Sequence, residues 1–350
     1  MIKKNVFYFE AVRDALKVSL KKNKKVLLIG LGVDDPKGVF GTTLNLHKNF
    51  KNQVFDMPTA ENGITGFALG LASKKFIPVL VHQRVEFSLL SFEQIVNQIS
   101  KWNYMSAGKV NVPLTIRLVI GKGWGQGPQH SQSLETLFAH IPGLKVVSPS
   151  NPVDAKGMLI SSIFDKNPVI FFEHRWLHNL KSNVPLGYFV KNINKSKLLR
   201  KGKNLTIISF SNSLVESLKA SDYLKRNFNI TSNVLDLRVL RPLDKKNILK
   251  SVENIKNVLI VDNGMISFGI SSEISSIINE NSISQKNIKR IGVEETPIPS
   301  SISIAKHCYP EENLIVREAL ILLKKKFNKN NLPKIKKNSD QPDINFKGPF

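Results

Sequence analysis

Val54-Phe55-Asp56-Met57-Pro58-Thr59-Ala60-Glu61-Asn62-Gly63 is the stretch where a strand hands over to a helix. An apolar run stops at the turn signal Asp56-Met57-Pro58, and a small-residue helical pattern begins just after it. Glu61 falls in the first turn of that helix. Gly63, Gly66 and Gly70 follow, alternating with Ile64, Phe67, Ala68 and Leu71. Three glycines in one helix cost about 1 kcal/mol each relative to alanine. A chain carries that cost where another backbone or a flat ligand must come close. The stretch therefore sets a carboxylate at a strand end, beside a surface built for close approach. A first-turn acid favouring the helix dipole, above an ordinary helix–helix contact, accounts for the same residues.

On either side the chain alternates short apolar runs with amphipathic segments. Residues 6–22 read as a helix and 25–30 as a buried strand. Residues 34–50 are turn-rich, and 76–81 is a second strand. Residues 91–106 read as a helix with Phe92, Ile95, Ile99, Trp102 and Met105 on one face. Strands at 113–120, 144–147 and 168–172 come next, with helices at 131–140 and 151–164 between them. Asn151-Pro152-Val153-Asp154 is a strong helix start. Solid apolar strands alternating with helices predict an α/β fold, a parallel sheet covered on both faces. The polar stretch 181–203 is expected to be a linker. Alternation resumes in 204–326, a second and smaller α/β domain with strands near 204–210, 231–237, 256–261 and 288–293. Its helices are expected near 212–227, 244–251, 268–280 and 313–326. Residues 327–350, rich in lysine with Pro333, Pro342 and Pro349, are expected to be a disordered basic tail. There is no internal repeat.

A length of 350 residues suits about two domains with real cores. Hydrophobic content of 41% and charged content of 22% are those of a globular protein. No apolar run reaches the roughly 18 residues of a membrane span. The N-terminus has no apolar signal core, and the one cysteine, Cys308, rules out an internal disulfide or a cysteine metal cluster. Both point to a reducing, cytoplasmic setting. The net charge of +24 comes from 51 basic residues of which ten are Arg, scattered among asparagines. That pattern reads as a solvated basic surface and argues against nucleic acid as a partner.

Candidate site residues cluster where parallel strands end, the place such sheets bind ligands. The loop Gly121-Lys122-Gly123-Trp124-Gly125-Gln126-Gly127 follows one strand, and it lacks both the dinucleotide fingerprint and a Walker lysine. His130 comes just after it, read as the start of a helix that would favour a neutral imidazole suited to acid–base work. A structural histidine bonded to loop backbone fits equally well. Phe87 lies beyond another strand, able to stack on a ligand ring or simply to fill core. His174, Arg175 and His178 lie beyond a third, facing the same cleft or forming a polar loop. No zinc-type ligand spacing and no nucleophile elbow is present.

Taken together, Asp56–Gly63, Gln129-His130-Ser131-Gln132, Pro142–Pro149, Asp154-Ala155-Lys156-Gly157, Asn167-Pro168-Val169 and Asp236–Asp244 resemble the beta subunit of thiamine-diphosphate-dependent 2-oxo acid dehydrogenase E1 components, of the pyruvate, branched-chain and acetoin type. The resemblance runs collinearly over about residues 5–325. It implies a pyrimidine-binding domain of thiamine-diphosphate enzymes at 1–180 and a transketolase C-terminal-like domain at 204–326. The segments His82–Phe87 and Glu173–Asn179 look closer to bacterial beta subunits of unassigned substrate than to the housekeeping pyruvate enzyme.

The resemblance implies that Glu61 bonds N1′ of the cofactor's aminopyrimidine and promotes the tautomer that takes the thiazolium proton. It implies that His130 faces the substrate, that Phe87 stacks on the pyrimidine, and that Leu114, Ser162, Ile163, Asp165 and Asn167 match a loop holding potassium in some members. In the family the cofactor's diphosphate is held through Mg²⁺ by a Gly-Asp-Gly…Asn motif of the alpha subunit. No Gly-Asp-Gly occurs in this sequence, so the implied site is half of one, needing an alpha partner in an α2β2 assembly. The implied reaction is oxidative decarboxylation of a 2-oxo acid with acyl transfer to the lipoyl arm of an acyltransferase, E2. Asp262-Asn263-Gly264-Met265 departs from the family's acidic-Gly-Trp type stretch, which bears on E2 docking. A C-terminal subunit of a split transketolase-like enzyme, or a non-catalytic scaffold of the same fold, are the alternatives.

Overall fold

The computed structural model describes residues 2–121 and 125–335. The chain divides into two units, the first built from residues up to 121 with 137–193, the second from 122–136 with the chain from 194.

The first unit opens with β1 (Lys3–Phe7) and α1 (Tyr8–Lys22), where the sequence predicts a single helix over 6–22. Its main sheet uses β2 (Val26–Gly30), β3 (Val54–Asp56), β4 (Ile77–His82), β5 (Thr115–Ile120), β6 (Lys145–Val147) and β7 (Val169–His174). They lie in the order β6-β7-β5-β4-β2-β3, every neighbouring pair parallel. β2, β5 and β7 are buried along their whole length, as solid apolar runs require in a sheet covered on both faces. The helices are α2 (Leu46–Asn49), α3 (Glu61–Ser73), α4 (Trp102–Met105), α5 (Glu135–Ala139), which begins at the boundary of the second unit, and α6 (Pro152–Ile163). α6 starts as the sequence predicts, the Asn151 side chain accepting from the Asp154 N–H at 2.9 Å with Pro152 in the first turn.

Two expectations change here. The helix expected over 91–106 is broken into a 3₁₀ turn (Phe87–Ser91), a π-helical turn (Gln94–Ile99) and α4. A π turn winds in an extra residue and shifts the phase of the residues beyond it. Ile95 and Ile99 are buried while Met105 is turned out to solvent. The expected linker carries regular structure. β8 (Lys181–Pro185) pairs antiparallel with β1, Phe7 opposite Lys181, within the first unit. β9 (Lys197–Arg200) pairs antiparallel with residues 234–236 of the second unit. Polar composition hides both strands: β8 buries only Val184, and three of the four β9 side chains are exposed.

The second unit holds β10 (Leu205–Ser209), α7 (Ser211–Phe228), β11 (Ser232–Asp236), β12 (Val239–Arg241), α8 (Lys245–Val252), β13 (Asn257–Met265), α9 (Ile270–Asn281), β14 (Asn287–Val293), α10 (Ile302–Ala305) and α11 (Glu312–Leu322). Its sheet order is β14-β13-β10-β11-β9, parallel except for β9. Leu205, Ile207, Val234, Leu259 and Val261 of the sheet pack with Leu214, Leu224, Ile315 and Leu320 of α7 and α11. The start of the expected tail is packed: Phe327 and Leu332 lie against this core, and the Tyr223 hydroxyl donates to the Asn331 carbonyl at 3.1 Å. The remainder of that tail, from 336, lies outside the described residues, as do 122–124 of the glycine loop.

Candidate functional site

Glu61 is the first residue of α3, directly after the turn that leaves β3. Asp56 builds that turn: its Oδ1 accepts from the N–H groups of Gly32 (2.6 Å) and Val33 (3.1 Å), while Met57 N–H donates to Gly30 O. α3 is anchored on β4 by Thr65 Oγ1 and His82 Nε2, 3.2 Å apart. Burial lowers the His82 pKa to about 4, so at neutral pH this ring is uncharged. Glu61 is only 8% exposed, and among the described residues its carboxylate has no hydrogen-bond or ion-pair partner. With no partner among those residues, that carboxylate is available to a ligand or to another subunit.

The glycines of α3 leave the space that the sequence implies. A Cβ at Gly63 or Gly66 would meet one side-chain atom near 4 Å, and one at Gly70 would meet nothing within 4 Å. Phe67 is exposed on the same helix. Phe87 opens the 3₁₀ turn that packs on α3, and it is half-buried there. Glu61 and Phe87 thus belong to neighbouring elements of one unit.

His130 belongs to the second unit. It lies in a turn five residues before α5 begins at Glu135, not at a helix N-terminus. The expected helix from 131 is shorter because residues 131–134 stay outside it, so no helix dipole reaches the imidazole.

His174, the last residue of β7, forms a buried network with Arg175 and His178 of the 3₁₀ turn (Arg175–Asn179) that follows. At its centre Arg117 Nε donates to Glu173 Oε1 at 2.6 Å and Arg117 Nη2 to Thr42 Oγ1 at 2.9 Å, the ion pair fully buried. Burial works against the Glu173 carboxylate, yet Arg117 and His178 hold its pKa below the usual value. His178 Nε2 stands 3.5 Å from Glu173 Oε2, and burial lowers its pKa to about 4. Arg84 and Arg175 flank the Phe40 ring at 5.8 and 4.6 Å. Burial, then the field of Arg84, lowers the Arg175 pKa to about 10. Gly121 makes room for this network. Its φ is +113°, and a Cβ there would stand 2.6 Å from the His174 ring. Arg117 and Thr42 are not among the residues that the sequence singles out, since nothing local marks a pairing between partners 75 residues apart.

Leu114, Ser162, Ile163, Asp165 and Asn167 do come together. Leu114 O accepts from Val169 N at 2.9 Å and Ser162 O from Asp165 N at 3.1 Å. Asp165 Oδ1 accepts from Asn167, and its Oδ2 pairs with Lys145 at 2.5 Å. The Leu114 and Ser162 carbonyl oxygens each keep a second lone pair beyond these bonds. Among the described residues no group of three or more His, Cys, Asp or Glu is placed to hold a metal ion.

Two family profiles cover nearly the whole chain. Transketolase, pyrimidine binding domain, matches residues 4–180, and Transketolase, C-terminal domain, matches 194–313. The beta subunit of acetoin:2,6-dichlorophenolindophenol oxidoreductase of Bacillus subtilis (strain 168) is 35% identical over 329 residues, covering 90% of this chain and 96% of the relative. The pyruvate dehydrogenase E1 component subunit beta of the same organism is 38% identical over 296 residues, with 83% and 91% covered. This chain belongs to the transketolase-like E1 beta-subunit family. The pyruvate dehydrogenase E1 beta subunit of Porphyra purpurea, 37% identical over 302 residues with 85% and 91% covered, is a third such E1 beta relative. Among solved structures, a chain described as split gene transketolase, inactive beta4 tetramer, aligns with a TM-score of 0.74 at 20% identity. The match covers 92% of this chain and 99% of that one. At that identity the likeness speaks for the fold alone.

Proposed function

We propose that this chain is the beta subunit of a 2-oxo acid dehydrogenase E1 component. Such an enzyme decarboxylates a 2-oxo acid oxidatively with thiamine diphosphate and passes the acyl group to lipoamide, working with an alpha subunit. The observation that carries the reading is Glu61, a buried carboxylate without a partner among the described residues, at the head of a helix whose glycine face is open. The residues present fit the cofactor's aminopyrimidine. Glu61 would hold its ring nitrogen and Phe87 would lie against its face. When bound, the cofactor supplies the electron sink for decarboxylation. Glu61 would hold or yield a proton at that nitrogen, as a positioned acid–base group does. His130 serves proton transfer at the substrate.

The missing Gly-Asp-Gly supports an alpha partner that supplies the Mg²⁺ ligands for the diphosphate. The open face of α3, with Phe67 exposed beside it, is suited to take that partner or the cofactor ring. Leu114, Ser162, Ile163, Asp165 and Asn167 would hold potassium through oxygen atoms. The split-transketolase reading is the weaker fit, because the sequence relatives at 35–38% identity are named as oxidoreductase and dehydrogenase subunits while the transketolase likeness stands at 20%. The test is co-expression with an E1 alpha subunit from the same genome, then decarboxylation assays over a panel of 2-oxo acids with lipoamide as acceptor. Turnover of one 2-oxo acid with lipoamide acylation is expected. Ketol transfer without lipoamide acylation would contradict the reading.

A further inference from the structure

We propose that Glu135 is a positioning residue for His130, acting through the Asn263 amide on the loop that carries the histidine. The inference rests on the proton-transfer role of His130 and adds the device that places it. The loop is fixed on both sides of the histidine by contacts within the second unit. On the N-terminal side Gly125 and Gly127 sit against Ser300. A Cβ at Gly127 would stand 2.6 Å from Ser300 Oγ, and one at Gly125 3.3 Å from Ser300 O. On the C-terminal side Asn263 Nδ2 donates to Ser133 Oγ at 3.2 Å and to Glu135 Oε1 at 3.0 Å. Gly264 allows that approach, since a Cβ there would lie 3.1 Å from Ser133 O.

Asn263 is itself immobilised. Ser213 Oγ donates to Asp262 O at 3.0 Å and reaches Asn263 Oδ1 at 3.5 Å. Asp262 accepts from Ser271 N at 2.8 Å and Gly264 N at 3.2 Å, which ties this end of β13 to the start of α9. Asp262-Asn263-Gly264 thus forms the anchor for this side of the loop. The residue before the glycine is an amide with two donors, aimed at an acceptor that an acidic residue would repel.

Glu135 is 2% exposed. Burial, and then the facing Asp262 carboxyl on β13, raise its pKa to about 7, against the pull of the Asn263 amide. Ser133, on its own loop, and Asn263 are neutral. Near neutral pH the carboxyl therefore keeps its proton much of the time and accepts from Asn263 at no charge cost. Above pH 7 a buried charge develops opposite Asp262, an unfavourable arrangement that the Asn263 bond offsets only in part.

The experiment uses the full chain co-purified with its alpha partner. It combines hydrogen exchange over residues 125–135, corrected for intrinsic rates, with kcat and KM from pH 6 to 9. Asn263→Ala is expected to speed exchange of the loop by at least about tenfold. It should lower kcat by a similar factor with KM little changed, as misplacement of a catalytic group does. Glu135→Gln keeps an acceptor for Asn263, so loop protection and kcat at pH 7 should match the parent, while the parent's fall in kcat above pH 7 disappears. Parent-like exchange and kcat in Asn263→Ala, or superimposable pH profiles for the parent and Glu135→Gln, would overturn the proposal. Full turnover by His130→Ala would instead overturn the reading of the histidine, with the anchoring still read separately from the exchange data.

Discussion

At the residue scale the molecule separates charges that it pairs from charges that it leaves waiting. Arg117 and Glu173 are wholly buried and paired with each other, whereas Glu61 is nearly as buried and answered by nothing among the described residues. A stable chain tolerates the second kind of group where a ligand completes it. The buried histidines give a separate, measurable consequence. His82 and His178 both have pKa values lowered by burial to about 4, from the ordinary 6.5. Below pH 6.5 the unfolded chain takes up protons that the folded chain refuses, so stability is full above 6.5 and lost as pH falls towards 4. The expected loss is about 2 kcal/mol per histidine between pH 7 and pH 5. Because the raised pKa of Glu135 acts in the opposite direction over the same range, the term is isolated by comparing parent and His82→Gln: chemical denaturation at the two pH values should show a loss about 2 kcal/mol smaller in the variant. Equal losses in parent and variant would show that the His82 ring is charged in the folded state. Glu61 is legible in the sequence because its neighbours, the turn and the glycines, announce it. Glu135 is not, because its partner Asn263 is 128 residues away and its meaning lies entirely in that pairing.

At the element scale α3 is the decisive piece. Its three glycines weaken it as a helix and, within this chain, relieve no clash: the space beside Gly70 is open. Their value must lie with something outside the chain. Gly70→Leu separates the two roles. The isolated subunit should melt at the same temperature or higher, since the substitution favours the helix by up to about 1 kcal/mol. Co-purification with the alpha partner and thiamine diphosphate binding should be lost. Retained assembly would mean that this face meets only solvent. The strands are readable because buried parallel strands write themselves as unbroken apolar runs. The continuous helix expected over 91–106 fails because a π turn changes the period within it, and β8 and β9 escape notice because edge strands in water carry no apolar run.

At the scale of the whole molecule the proposed function makes the chain half of a catalytic centre. On that proposal Glu61, Phe87 and His130 are what it contributes, and its sequence lacks the Gly-Asp-Gly that would bind the metal of the diphosphate. The loop of oxygen donors around Asp165 gives one further check. Potassium should raise the melting temperature of the assembled protein above its value in sodium at equal ionic strength, as any ligand of the native state does. Equal melting temperatures would remove the cation from the account. The most direct test is Glu61→Gln in the co-purified pair, with thiamine diphosphate binding and decarboxylation measured together. Binding should persist while turnover falls by about 10²–10⁴-fold, the range set by loss of a positioned acid–base group. Full turnover by Glu61→Gln, with the cofactor bound, would contradict the account.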